Sequence, residues 1–291
     1  TLDDNTTGVN NTAIGNIALG LNSTGSNNTA VGYHALDNTA TANDNTAIGA
    51  YALTAANSTA TANTGIGCSA LAANSTGDSC VAVGYHALLS NTASNNVAVG
   101  YLASKANTTG DLNVAIGGNA LATNTVGDRN VAIGYNCLQT YNPSSNEDGY
   151  NTGVGLNVLS GTTTGNHNTA VGGKAMEDNT TGSYNCAFGT FALDANTTGG
   201  YNVAVGYDAL STSSTANSNT AVGYYALRVN TTGDESVAIG AYCGDANTTG
   251  SDNVAIGVYT FSANTTGSDN TAVGRAALGA NTTASQNTAV G

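Results

Sequence analysis

The sequence predicts an all-β fold, a parallel β-solenoid (β-roll) of about seventeen coils with a 17-residue repeat, and three observations carry that prediction. A glycine-ended motif recurs along the whole chain at nearly constant spacing. Small residues dominate: 38 of 291 residues are glycine, only 8% are charged, and there is one proline and no tryptophan. Between motifs lie polar stretches of Asn, Thr, Ser and Gly, residues that accept tight turns and positive φ.

The strand comes first. Aligned on its last residue, the motif appears seventeen times, from Gly15 and Gly32 to Gly274 and Gly291. Thirteen of the sixteen intervals are 17 residues; the others are 18 (Gly49 to Gly67), 16 (Gly84 to Gly100) and 21 (Gly134 to Gly155). Four residues before the glycine stands Asn in 15 of 17 repeats, followed by Thr or Val in 16, then Ala except at Gly65 and Gly153, then Val or Ile except at Phe188. The resulting N-[TV]-A-[VI]-G is a short strand, because β-branched residues alternate with small ones at period two. Its Thr/Val and Val/Ile columns share one face, which is expected to lie inside. Asn, Ala and Gly share the other, leaving room for close packing against the opposite wall of the coil or another subunit.

The corner and the turn complete the circuit. After the glycine come two variable positions, then Ala and Leu in 12 of 16 repeats each, with Met176 and Phe261 as bulky substitutes for Leu. A second short strand or a bend is expected to carry this Leu inward. A polar turn such as Asn107-Thr108-Thr109-Gly110-Asp111 leads to the next strand. Ordering 17 residues costs roughly 1–2 kcal/mol each, more than the roughly 3–6 kcal/mol from burying one Val or Ile and one Leu. Coils must therefore share hydrogen bonds and packing with neighbours, as in a solenoid.

Stacking turns each column into a ladder. Asn28, Asn45, Asn113, Asn130, Asn168, Asn202, Asn219, Asn253 and Asn270 are expected to hydrogen-bond along the axis. The corner glycine either takes positive φ or admits a close backbone. The whole chain, 1–291, reads as a single repetitive segment of a longer fibre; the 21-residue interval places a loop insertion at 141–149, which holds the only proline. The chain starts and stops mid-pattern, so it is expected either to continue beyond both ends or to stack end to end.

Composition and charge exclude several classes. A conventional enzyme domain carries about 25% charged residues, and collagen needs glycine at every third position. Five Lys+Arg against eighteen Asp+Glu give a net charge of −13, which disfavours nucleic acid and anionic membranes. No run of eighteen apolar residues is present, so no membrane insertion is expected in this segment.

Candidate sites are few. Cys68, Cys80, Cys137, Cys186 and Cys243 lie at phases that stack none on another, which argues for free thiols and small apolar substitutes rather than disulfides or zinc. His34 and His86 share a phase without a recurring nucleophile or carboxylate, so no catalytic residue is assigned. Asp78, Asp111, Asp128 and Asp234 share a phase after turn glycines. Calcium between Asp111 and Asp128 is weighed against solvated turn residues, and the second is preferred; no metal or cofactor is expected. Tyr225, Tyr242 and Tyr259 form one column over three consecutive coils, and Tyr85 with Tyr101 and Tyr207 with Tyr224 form two-rung stacks in the adjacent column. Such ladders either platform glycan rings or stabilise neighbouring coils. Sequons such as Asn107-Thr108-Thr109, Asn179-Thr180-Thr181 and Asn196-Thr197-Thr198 are generated by the repeat itself.

The units Asn113-Val114-Ala115-Ile116-Gly117, Ser236-Val237-Ala238-Ile239-Gly240 and Asn253-Val254-Ala255-Ile256-Gly257 resemble the YadA-like head repeats of trimeric autotransporter adhesins. Asn168-Thr169-Ala170-Val171-Gly172 and residues 219–227 are similar to the N-T-A-V-G-Y-x-A-L repeats of bacteriophage tail fibres. The resemblance spans essentially the whole chain. It implies a left-handed, trimeric parallel β-roll, extracellular on a cell or virion surface, that serves attachment; the tyrosine ladders make surface glycans candidate partners. The expected function is a non-enzymatic, structural or adhesive fibre shaft whose partner is itself, as a homotrimer or an end-to-end filament. An ice-binding solenoid is the alternative, weakened because the strand face is expected inside; a filament without a receptor is another. A carbohydrate enzyme would need Glu147-Asp148 as its acids.

Overall fold

The computed structural model describes residues 1–55 and 58–291, which contain seventeen three-residue strands and no helix. The chain divides into two compact units, Thr1–Tyr150 and Asn151–Gly291. The first holds eight strands, β1 (Thr12–Ile14) to β8 (Val131–Ile133); the second holds nine, β9 (Thr152–Val154) to β17 (Thr288–Val290). Within each unit successive strands pair in parallel and in register, Thr12 opposite Thr29 in the first and Thr169 opposite Cys186 in the second. Each unit is thus a parallel β-solenoid with one strand per coil, and the boundary follows the 141–149 insertion directly.

The strand faces are the reverse of the sequence expectation. Ala30, Ala82, Ala115, Ala170 and Ala204, the central strand residues, have 0% exposure. Their larger strand neighbours point outward: Ile116 is 37% exposed, Ile239 40% and Phe188 41%. The width of the coil explains the reversal. Leucines from the corner, such as Leu36, Leu88, Leu121 and Leu193, fill the interior at 0% exposure. A Cβ at Gly65, which replaces a strand alanine, would sit 3.4 Å from Leu53 Cγ and 3.3 Å from the Ala70 carbonyl oxygen. The space takes a methyl group and nothing larger, so valine and isoleucine go out. Each buried leucine contributes roughly 1.5–3 kcal/mol.

The leucine arrives on a bend, not on a second strand. At Gly206 φ is +138°, and an added Cβ would lie 2.4 Å from the Gly223 carbonyl oxygen, so the corner needs glycine for both conformation and space. Beyond it the backbone turns left-handed twice, at His34 and Leu36 (φ 51° and 52°) and again at Tyr225 and Leu227 (φ 60° and 48°). A left-handed conformation costs a side-chain-bearing residue roughly 1–2 kcal/mol. The neighbouring coil offsets that cost: the Leu36 N–H donates to the Ala52 carbonyl at 3.0 Å while its side chain is buried.

The asparagine ladder forms, chiefly through backbone. The nine asparagines named above are at most 3% exposed. Asn28 Oδ1 accepts the Asn45 N–H at 3.0 Å, and Asn28 Nδ2 donates to the Ala42 carbonyl at 2.8 Å. Direct amide-to-amide bonds accompany this at Asn130 to Asn113, Asn202 to Asn185 and Asn270 to Asn253, each 3.1 Å. A second ladder lies in the polar turn, where Asn107 Nδ2 donates to Asn91 Oδ1 at 2.7 Å and to the Gly110 carbonyl at 2.8 Å.

In the insertion, Tyr141 occupies the column of that second ladder, 17 residues after Asn124, and is 1% exposed. Asn142 Oδ1 accepts the Thr125 N–H at 3.0 Å, and the Asp128 N–H donates to the Glu147 carbonyl at 3.0 Å. The loop therefore rejoins the ladder at both of its ends, with residues 144–147 exposed between them.

Candidate functional site: the outward strand face and the tyrosine ladders

The outward face consists of the two β-branched columns of each unit. No charged residue interrupts either column, and the only side chains that are not β-branched are Cys186 and Phe188, on one strand. Cys186 is half-buried, and burial pushes its thiol pKa up. The Val/Ile column is a repeated apolar strip of the kind that monomeric surfaces usually avoid, and it runs beside a column that is threonine in nine of seventeen strands.

The tyrosines stand on the corner, at the two positions after the glycine. Tyr85 and Tyr101 stack with centroids 5.6 Å apart and planes 12° apart; Tyr207 and Tyr224 do so at 5.6 Å and 16°. In the expected three-rung column Tyr242 stacks on Tyr259 at 5.0 Å and 13°, whereas Tyr225 meets Tyr242 edge-on at 5.5 Å and 69°. Tyr224 and Tyr225 join the columns at 4.0 Å, and the Arg228 guanidinium lies 4.6 Å from the Tyr225 ring centroid. A hydrogen bond with Tyr225, followed by burial, raises the Tyr224 phenol pKa. Each ring of a parallel pair turns one face onto its neighbour.

Two surfaces escaped the sequence reading. Tyr184 and Tyr201 stack at 5.1 Å with planes 2° apart, and His167 stacks on Tyr184 at 4.7 Å. All three precede the ladder asparagine at 17-residue spacing, a signal a count of that column would have found. The second unit also carries an exposed threonine in every turn: Thr164, Thr181, Thr198, Thr215, Thr232, Thr249, Thr266 and Thr283. The residue preceding each of these, a threonine except at Ser214, is tied to the next coil in several turns, as where Thr180 Oγ1 donates to the Thr197 carbonyl and Thr197 Oγ1 to the Ser214 carbonyl, both at 2.8 Å.

The aspartates of the turn bind backbone. The Thr61 N–H donates to Asp78 Oδ1 at 2.6 Å, the Asp111 N–H to Asp128 Oδ1 at 2.8 Å and the Asn217 N–H to Asp234 Oδ1 at 2.6 Å. Burial, and then the charge of Asp111, raises the Asp128 carboxyl pKa. Among the described residues no three His, Cys, Asp or Glu side chains converge as metal ligands, and no pocket forms. In the insertion Asp148 pairs with Arg129, and Glu147 accepts the Ser145 hydroxyl. All five cysteines are free; burial pushes the thiols of Cys137 and Cys243 up to about 12, which keeps them protonated and unreactive.

The chain matches no protein-family model, no curated protein and no solved structure.

Proposed function

We propose that the chain is a non-enzymatic fibre shaft of the bacterial surface adhesin or phage tail fibre type. It extends outside a cell or virion, supports attachment, and associates with copies of itself through the outward strand face. The observation that carries this reading is that face: two uncharged columns, β-branched on every strand but β11, that point outward and range from half-buried to exposed along both units. Removing apolar surface from water contributes about 25 cal/mol per Å². Rungs about 4.8 Å apart let two copies match side chain to side chain along a whole unit. The resemblance to trimeric adhesin repeats favours three copies.

Sedimentation of the purified chain tests this. The wild type is expected to be oligomeric, and Val114→Lys with Ile116→Lys, which places two charges on the face, is expected to shift it toward smaller species. A wild type that sediments as a monomer at all accessible concentrations overturns the self-association.

One observation favours a second reading. Ice binding needs ordered outward ranks of methyl and hydroxyl groups. The strand face lies outward, contrary to the expectation that weakened this reading, and the second unit adds eight exposed threonines in successive turns. Thermal hysteresis from a monomeric preparation is the result this reading requires, and its absence removes it.

A further inference from the structure

We propose that the five-tyrosine cluster of the second unit, Tyr207, Tyr224, Tyr225, Tyr242 and Tyr259, is an oxidative cross-linking site at which neighbouring coils become joined by a carbon–carbon bond. Four successive coils contribute to it, and each ring lies within 5.8 Å of another, centroid to centroid. Tyr207, Tyr224 and Tyr259 are exposed, so an oxidant reaches the cluster from solvent. Tyr242 touches three partners, Tyr224, Tyr225 and Tyr259. A hole placed on one ring can therefore settle beside several phenols. The two-ring stacks Tyr85–Tyr101 and Tyr184–Tyr201 offer one partner each among tyrosines.

Composition directs the oxidation to these rings. The chain has no tryptophan, and its single methionine, Met176, has 0% exposure. Tyrosine is thus the aromatic that gives up an electron most readily. Cys68 is the one exposed thiol and belongs to the other unit, and Cys186 in this unit is half-buried.

The chemistry balances with hydrogen peroxide and a haem peroxidase as oxidant. Each of two tyrosines loses one electron and its phenol proton to give a phenoxyl radical. The radicals couple between ring carbons ortho to oxygen, and the displaced ring protons move to the oxygens to restore both phenols. Two tyrosines thus yield one dityrosine, while peroxide takes up two electrons and two protons to become water. The tilted contacts, 68° for Tyr224–Tyr242 and 69° for Tyr225–Tyr242, turn ring edges toward the neighbouring coil. A bond there staples one coil to the next. This holds for the solenoid unit whether or not copies associate.

The tryptic map gives a direct readout. Lys174, Arg228 and Arg275 are the only basic cleavage points beyond residue 129, so trypsin separates Tyr207, Tyr224 and Tyr225 from Tyr242 and Tyr259. The full chain, dilute and with Cys68→Ser to remove the exposed thiol, is treated with peroxidase and peroxide. Peptides 175–228 and 229–275 are expected to emerge joined, with the mass of two hydrogens lost and the intact chain still of single-chain mass. Tyr242→Phe, which keeps the ring but removes the phenol, is expected to lose most of that joined product. Three outcomes overturn the proposal: cross-links confined to separate chains, hydroxylated tyrosines without coupling, or coupling distributed by exposure alone, led by Tyr201 and Tyr101 at 64% and 58% exposed.

Discussion

Asn168 holds Asn185 in place through the backbone: Asn168 Oδ1 accepts the Asn185 N–H at 3.0 Å, while Asn168 Nδ2 donates to the Gly182 carbonyl at 2.9 Å. One buried amide thus ties the strand entry and the polar turn of the next coil together. Asn168→Ala leaves the buried Asn185 N–H unsatisfied, at a cost of about 1–3 kcal/mol, while the Gly182 carbonyl keeps Asn179 Nδ2 as a donor at 3.0 Å. The expected loss is therefore roughly 1–3 kcal/mol. Because coils interact with their neighbours, the damage concentrates there. Hydrogen exchange reads it: the Asn185 amide should exchange far faster in the variant, while amides several coils away keep their protection. Uniform protection throughout would show that the ladder bond contributes nothing.

The same column offers a gain. Ser236 is one of two residues that replace the ladder asparagine; its hydroxyl meets the Asn253 N–H at 3.2 Å and donates to the Asp234 carbonyl at 3.2 Å. It has no amide to reach the turn 14 residues on, as Asn219 does when it donates to the Gly233 carbonyl at 2.8 Å. Ser236→Asn restores that donor opposite Gly250. A typical net hydrogen bond contributes about 0.5–1.5 kcal/mol, so the variant is expected to unfold at higher denaturant concentration than the wild type. An unchanged or lower midpoint would show that the site cannot accept the longer side chain.

These ladders mark how far the sequence was legible. Spacing alone located every strand, because Asn, Ala and Gly recur at fixed positions of the coil. The inside of the strand was misread, since alternation at period two says that two faces differ and not which faces inward. Deciding that needs the coil width, set by Leu53 and its counterparts across the interior. Hydrophobicity pointed to valine and isoleucine, and volume selected alanine. The left-handed leucines were equally hidden, because Leu227 at φ 48° has no local signal in its residue type and is held there by its bond to the Cys243 carbonyl at 3.0 Å. The tyrosine columns were legible as columns, but the Tyr224–Tyr225 contact that fuses them was not.

The repeat also writes sequons whose asparagines are inaccessible. Asn196 has 0% exposure, and its Nδ2 donates to Asn179 Oδ1 at 2.8 Å and to the Gly199 carbonyl at 3.0 Å. A glycan on that nitrogen would remove a donor and push a sugar into the coil. Production in a glycosylating host is therefore expected to give a folded fraction with unmodified Asn196 and any modified chains in the misfolded fraction. Intact mass of the two fractions checks this, and a folded, glycosylated Asn196 would contradict the buried ladder.

Asp194 gives the second unit a pH dependence opposite to that of most carboxylates. Burial pushes its pKa up to about 6, with Asp208 and then Asp178 and Glu177 adding repulsion. In the unfolded chain an aspartate titrates near ~3.9, so between these values the folded state holds a proton that the unfolded state has lost. Its contribution to stability is therefore fully present below about pH 4 and is lost as the pH rises through about 6. The side chain is only half-buried, and solvent screening keeps the effect modest. Asp194→Asn removes the titrating charge, so the variant should gain thermal stability over the wild type at pH 7, and the difference should shrink on acidification. The carboxyl carbon chemical shift of Asp194, followed against pH, reports the midpoint directly. A midpoint near 4 would mean that the neighbouring acids are screened from it and that burial there carries no penalty.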